Sequence, residues 1–311
     1  MRKIPVWMDC DTGTDDAIAI LLAHSLKELD LLGISTVCGN TTQENAFRNT
    51  HSMNGLMGTD YPVFRGAEKP LVKKLEFATA FHGENGLGNV VLPLPEKTVF
   101  RTEAAWDAIY ACAQAHPQEL RLVATGPLTN VATAFVKYPR LPQLLHSLCM
   151  MGGSAGAGNV TPAAEFNIFT DPQAAEIVFH SGVKLIMFGL DVTMQEMFLE
   201  EDLNELGVSG SKAGAFAKAC LQCALQSIRR YGVDGVSMHD SCPVMYLAHP
   251  ELFEGEEAGV VVETRGTVTN GKTVTDLYSD KQFPFKNALV MLKVDADAFI
   301  RILKEQIVSV G

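Results

Sequence analysis

The sequence predicts an α/β fold: an open, mostly parallel twisted sheet flanked by helices, with a helical region and additional strands toward the C-terminus. Three observations predict it. Apolar, β-branched runs recur along the chain, helical patterns lie between most of them, and the major runs end in small, polar clusters. No Ser/Pro-rich linker, repeat or low-complexity tract divides the 311 residues, so the expectation is one domain spanning 1–311.

The first strand, "IPVWM", runs into "DCDTG" and is followed by the helical pattern "DDAIAILLAHSL". The next, "LDLLGISTV", ends in "CGN". A helix over "EAAWDAIYACAQAH" precedes the strand "LRLVAT", which opens into "TGPLTN" and the helix "LTNVATAFVKY". "SLCMM" leads to "GGSAGAGN" and then to the helix "PQAAEIVFHSG", with Asp171 as cap and Pro172 in its first turn. "KLIMFGL" runs into "LDVT", a helical region covers 200–250, and "AGVVVE" opens a mixed strand region over 258–294. In open α/β sheets, ligands bind in the crevice beyond the carboxyl ends of the strands. Five such ends converging on one polar crevice make it the expected site.

Composition narrows the chemistry. A hydrophobic content of 47% supports a large core, and no apolar run is long enough to cross a membrane. The start, "MRKIPVWMDCD", turns acidic before a signal-peptide core develops, so the expected location is cytoplasmic. Seven cysteines (10, 38, 112, 149, 220, 223 and 242) scatter through apolar segments, as reduced thiols do. Cys220 and Cys223 form a C-x-x-C inside a helical pattern with no second pair, which reads as buried thiols rather than a zinc or redox site. With a net charge of −11 and no extended basic cluster, nucleic-acid polymers and anionic membranes are poor candidates for partners. A small neutral ligand or a cation suits the balance.

Asp9, Asp11, Asp15 and Asp16 crowd the first strand–helix junction. Capping of the helix dipole would account for Asp15 or Asp16, but not for Asp9 and Asp11, which precede the glycine turn. A hard cation with oxygen ligands, Ca²⁺ or Mg²⁺, would relieve the repulsion. The segment is no EF-hand: counting from Asp9, the positions that need an oxygen ligand, a glycine and a glutamate hold Gly13, Thr14 and Ile20. A Mg²⁺-dependent Asp-x-Asp phosphatase is the alternative, but the later lysine and second acidic pair that it needs are not evident.

Three further segments carry polar groups suited to a ligand. "AGAGNVTPAAEFNIFTDP" holds Asn159, Glu165 and Asn167, hydrogen-bonding partners fitted to sugar hydroxyls. "SMHDSCPVMYLAHP" sets His239 and Asp240 before a helix, either as a loop histidine and a cap or as a proton donor and a metal ligand. "FHGENGLG" holds His82 in a glycine-rich loop. The other histidines (24, 51, 116, 146, 180 and 249) lie in or beside helical patterns and are assigned no chemistry.

With these residues in hand, the sequence resembles the inosine–uridine-preferring nucleoside hydrolases from Ile4 to about residue 300. "DCDTGTDDAIAILLAH", "VCGNTT", "FHGENGLG", "TGPLTN", "MGGSAGAGNVTPAAEFNIFTDPQAAEIVF", "GLDVT" and "HDSC" carry the resemblance, in order. It implies a Ca²⁺ enzyme that hydrolyses the N-glycosidic bond of ribonucleosides, with no Ser or Cys nucleophile. By resemblance Asp11, Asp16, Asp240 and the Thr125 carbonyl hold calcium, and Asp11 is also the base for the attacking water. Asp15, Asn40, Asn159, Glu165 and Asn167 match ribose contacts; His239 matches the residue facing the leaving base, with His82 and Tyr231 near it. Tyr231 with His239 leans toward uridine and cytidine, and family members are usually dimers or tetramers. A non-catalytic nucleoside-binding protein is the competing class, disfavoured because Asp11 and His239 are both kept. Thr12 and Ser241 stand where the family usually has proline, which predicts two less rigid loops.

Overall fold

The computed structural model describes residues 2–310 except Ser279 and Lys281. Its strands are β1 (Ile4–Cys10), β2 (Leu29–Thr36), β3 (Val63–Arg65), β4 (Arg121–Ala124), β5 (Ser147–Met151), β6 (Leu185–Phe188), β7 (Met197–Phe198), β8 (Val236–Ser237), β9 (Phe253–Val262), β10 (Thr273–Asp276) and β11 (Ala288–Val294). Nine of them form one sheet in the order β10-β9-β11-β6-β5-β4-β1-β2-β3. From β11 to β3 every neighbouring pair is parallel; β9 runs antiparallel to both β11 and β10. This is the open, mostly parallel sheet that the sequence predicts, and its extra C-terminal strands form one edge.

Both faces of the sheet are covered, so its central strands read as unbroken apolar runs rather than as alternations. In β1, Val6, Met8 and Cys10 join one hydrophobic cluster and Trp7 the other, as the two-residue period of a strand requires. The helix Thr14–Ser25 is buried from Thr14 to Ala23. It packs against the helices Ser241–Ala248, Ala296–Val308 and Lys212–Ile228 as well as the sheet, hence its lack of a polar face.

Two long helices were not apparent in the sequence. Gln43–Met57 starts at Thr42, whose side chain accepts the Asn45 N–H at 3.1 Å, and stops at Gly58 in the left-handed region (φ 67°). Its buried face includes Gln43, Asn49, Thr50, His51, Ser52 and Asn54, so apolar periodicity does not reveal it. Ala296–Val308 is capped by Asp295, which accepts the Ala298 N–H. The "KLIMFGL" run is strand only to Phe188, and Leu190–Thr193 forms a short helix.

From β1 the chain proceeds to β2 and β3 on one side, then returns to place β4 on the other side of β1. The carboxyl ends of β1 and β4 thus form a topological switch point, where such sheets open a crevice.

Candidate active site

At that switch point the acidic segment splits into two layers. Asp9, still within β1, is buried: its Oδ1 accepts from the Ser35 hydroxyl and from Asn130 Nδ2 at 2.8 Å. Trp7 Nε1 in turn donates to Ser35 Oγ at 2.9 Å. Burial pushes the Asp9 carboxyl up to about 7 against the lowering effect of these hydrogen bonds. Asp9 therefore ties β1 to β2 and to the helix Thr129–Lys137.

The second layer follows the strand. Asp11 and Asp16 are fully buried. Asn40 holds both, its main-chain N–H donating to Asp11 Oδ2 at 2.6 Å and its Nδ2 to Asp16 Oδ2 at 3.1 Å. Asp16 also accepts the Gly13 N–H at 2.8 Å and the Thr125 hydroxyl at 2.7 Å. Asp15, Asp16 and Asp240 each bring a carboxylate oxygen within 4.8 Å of the others. Buried like charges so close repel by on the order of 3 kcal/mol per pair at an effective dielectric of about 20. The carboxyls of Asp11, Asp15, Asp16 and Asp240 are all raised above the ordinary range, by burial first, and for Asp15 by burial alone, with His239 opposing it. Asp16 is the next cause for Asp11, and Asp15 for both Asp16 and Asp240. Asp11 Oδ1 and Asp15 Oδ1 are buried without a hydrogen-bond partner. Asp240 precedes the helix Ser241–Ala248 but makes no side-chain cap bond, so its carboxylate is available to the cluster.

The two site histidines are both shifted down by burial. His82 Nδ1 accepts the Thr14 N–H at 3.1 Å and lies 3.8 Å from Asp15 Oδ1. Its pKa falls to about 4, so the ring is neutral and carries its proton on Nε2. It is no loose loop histidine: a Cβ on Gly13 would come within 2.6 Å of its Nδ1. His239 Nδ1 sits 2.7 Å from Thr193 Oγ1; burial lowers its pKa and Asp15 opposes that. Tyr231 lies farther out, 73% exposed, with its ring stacked on Phe81 at 6.2 Å between centroids.

The glycine-rich segment meets the aspartates through Thr125. Asn167 Nδ2 donates to the Thr125 carbonyl at 2.8 Å and to Met151 O at 3.2 Å. Glu165 is buried and accepts the N–H groups of Gly153, Asn167 and Ile168, which fixes the turn; burial raises its pKa. Asn159 is exposed, and its Oδ1 accepts the Phe166 N–H at 3.0 Å. Its hydrogen bonding ties it to this segment rather than to the aspartates.

The family model for inosine-uridine preferring nucleoside hydrolases matches residues 6–301. The chain belongs to that family. It is 40% identical over 310 residues to the pyrimidine-specific ribonucleoside hydrolase RihA of Citrobacter koseri, covering 98% of each chain. To RihA of Salmonella arizonae it is 39% identical over 314 residues, with 99% of each chain covered. Among solved structures, a plant nucleoside hydrolase superposes with a TM-score of 0.93 at 30% identity, over 99% of this chain and 100% of the other. A purine-preferring ribonucleoside hydrolase from Gardnerella vaginalis gives 0.92 at 30% identity, over 98% of each.

As a family member the chain is an N-glycosyl hydrolase acting on ribonucleosides, which displaces the phosphatase and the non-catalytic alternatives. Its two departures from the usual family prolines have local partners. Thr12 Oγ1 pairs with Thr50 Oγ1 at 2.7 Å, and the Ser241 N–H donates to Met238 O at 2.9 Å. Two contacts of this nucleoside hydrolase are not evident in the sequence, one of them made by Thr193 of the "GLDVT" motif. Thr193 contacts His239, and Glu196, fully buried, accepts the Met238 N–H at 3.1 Å. The one available signal was an acidic residue next to methionine in the apolar stretch "VTMQEMF".

Proposed function

We propose that this protein cleaves pyrimidine ribonucleosides, uridine and cytidine foremost, to free base and ribose with calcium at the aspartate cluster. The supporting observation is a set of buried carboxylates, Asp15, Asp16 and Asp240, beside an Asp11 oxygen that has no partner. An all-oxygen donor set suits a hard cation, and two unpartnered buried oxygens call for one. Asp11, Asp16, Asp240 and the Thr125 carbonyl, which has one lone pair beyond the Asn167 bond, would hold it. When bound, calcium would supply positive charge that orients the vicinal ribose hydroxyls and makes a neighbouring water more acidic.

The chain's own residues do the rest. Asp11, with Oδ2 pinned by Asn40, takes the proton of the attacking water on its unpartnered Oδ1. As the glycosidic bond breaks, positive charge builds on the ribose ring, and the surrounding carboxylates stabilise it. Asp15 meets the ribose hydroxyls or the cation, and Asn40, Asn159, Glu165 and Asn167 offer their remaining hydrogen-bonding groups to the sugar. His239 faces the departing base and gives it a proton, with His82 and Tyr231 beside it. The pyrimidine lean draws on the RihA relatives; the likeness to a purine-preferring structure is lower in identity.

The chain works as one domain, as a homo-oligomer (dimer or tetramer) in the cytoplasm. Among the described residues no helix is long and apolar enough to cross a membrane. Incubating the protein with uridine, cytidine, inosine and adenosine, and assaying reducing sugar and free base, tests the function. Pyrimidines should give the highest kcat/KM, and a flat or purine-led profile would overturn the lean.

A further inference from the structure

His239 is approached from behind by the segment 193–196. The helix Leu190–Thr193 follows directly on β6, and Thr193 at its end is fully buried. A buried hydroxyl is normally kept with a partner, and here the partner is His239 Nδ1 at 2.7 Å. Three residues on, Glu196 accepts the Met238 N–H at 3.1 Å and takes the Cys242 thiol at 3.4 Å. Antiparallel pairing of Met197 with Ser237 and Phe198 with Val236 holds the same two segments together. The backbone around His239 is thus fixed by Glu196 and the β7–β8 pair. Its ring is fixed by something else, the Thr193 hydroxyl.

We propose that Thr193 is a positioning residue for the leaving-base step, setting the rotation of the His239 ring. The terminal torsion of a histidine side chain is broad and roughly two-fold, so a ring without a polar partner samples orientations that exchange nitrogen for carbon. Engaging Nδ1 removes that freedom and leaves Nε2 as the nitrogen presented to the base. Proton transfer needs heavy atoms within hydrogen-bond reach and alignment, so a ring that turns away contributes little. Thr193 acts through His239, the partner of its side-chain hydroxyl. The inference rests on the reading of His239 as the residue facing the departing base.

The test compares uridine with nitrophenyl riboside, whose phenolate leaves without a proton. Within one preparation the ratio of the two kcat/KM values does not depend on how much enzyme is folded. Thr193→Val, which keeps shape and removes the hydroxyl, should lower the ratio of uridine to aryl riboside by about 10- to 100-fold. Thr193→Ser, which restores the hydroxyl, should restore the ratio. In a His239→Ala background Thr193→Val should have no further effect on it. If Thr193→Val slows both substrates in proportion, or if Thr193→Ser fails to rescue, the proposal is overturned. If His239→Ala itself leaves the ratio unchanged, the assignment of His239 has failed and the proposal falls with it. If His239→Ala lowers the ratio and Thr193→Val does not, the Thr193 proposal alone is wrong.

Discussion

The main-chain N–H of Asn40 donates to Asp11 Oδ2 at 2.6 Å, and the other Asp11 oxygen is buried with no partner. The same asparagine reaches Asp16 with its side chain, so one residue sets the geometry of two carboxylates. A main-chain donor is the more durable hold, because no substitution at position 40 short of proline removes it.

From this pair comes a contrast between the two aspartates on either side of Cys10. Asp11→Asn keeps the volume but removes the proposed base and cation ligand, and should cost at least ~10²-fold in kcat. Asp9→Ala should instead cost stability, about 1–3 kcal/mol for the buried hydrogen bonds from Ser35 and Asn130 that it removes, with a smaller loss of kcat per folded molecule. Kinetics paired with thermal unfolding decide it. A larger kcat loss in Asp9→Ala than in Asp11→Asn would reverse the two roles.

Gly13 marks how tightly the site is packed. A Cβ there would lie 2.6 Å from His82 Nδ1 and 2.8 Å from Asn40 Nδ2, so Gly13→Ala must displace both. Since both are hydrogen-bonded and largely buried, activity should fall about 10²-fold and the unfolding temperature should fall with it. Gly58→Ala is the control, with a positive φ and nothing within 4 Å of the added carbon. It should cost about 1 kcal/mol of stability and leave kcat/KM alone. Equal activity loss in the two variants would mean that Gly13 serves the backbone only.

Sugar recognition should show in deoxynucleosides. A site whose buried polar groups are arranged around a hydroxyl rejects the analogue lacking it by on the order of 10⁴-fold. Deoxyuridine should therefore be a very poor substrate beside uridine. Equal kcat/KM for the two would remove Asn40, Asn159, Glu165 and Asn167 from the ribose site.

The raised carboxyls also set a pH dependence. Asp9 is pushed from 3.8 to about 7, and Asp11, Asp15, Asp16 and Asp240 are shifted the same way, all by burial first. A folded-state pKa above the unfolded value means that the folded protein holds more protons between the two. Stability is then lost as pH rises from about 4 through about 7. A cation bound only by the folded state offsets that loss where the carboxylates are ionised. In chelator the unfolding midpoint should fall between pH 5 and pH 8, and Ca²⁺ should raise it more at pH 8 than at pH 5. Each ~1 kcal/mol moves the midpoint of a chain this size by roughly 2 °C, which calorimetry resolves. A calcium effect equal at both pH values would contradict the coupling.

What the sequence made legible follows from what each residue is buried against. β1, β4 and β5 lie in the middle of a sheet covered on both faces, so their apolar runs stand out without any periodicity analysis. The helix Gln43–Met57 did not, because the face it buries is largely polar. The pairs β7 and β8 are two residues each, too short to leave any pattern, yet they fasten Glu196 to the His239 segment. Asp11, Asp15 and Asp16 were legible because like charges at a strand end demand a reason. The contacts of Thr193 and Glu196 were not, since their partners lie 46 and 42 residues away.

The most direct test of the central claim is a calcium titration of metal-stripped enzyme with uridine, following release of ribose and uracil. The account predicts almost no turnover in chelator, a rise to a plateau at about one calcium per chain, and no such rise in Asp240→Ala. Full turnover in protein shown by metal analysis to hold no calcium would contradict it.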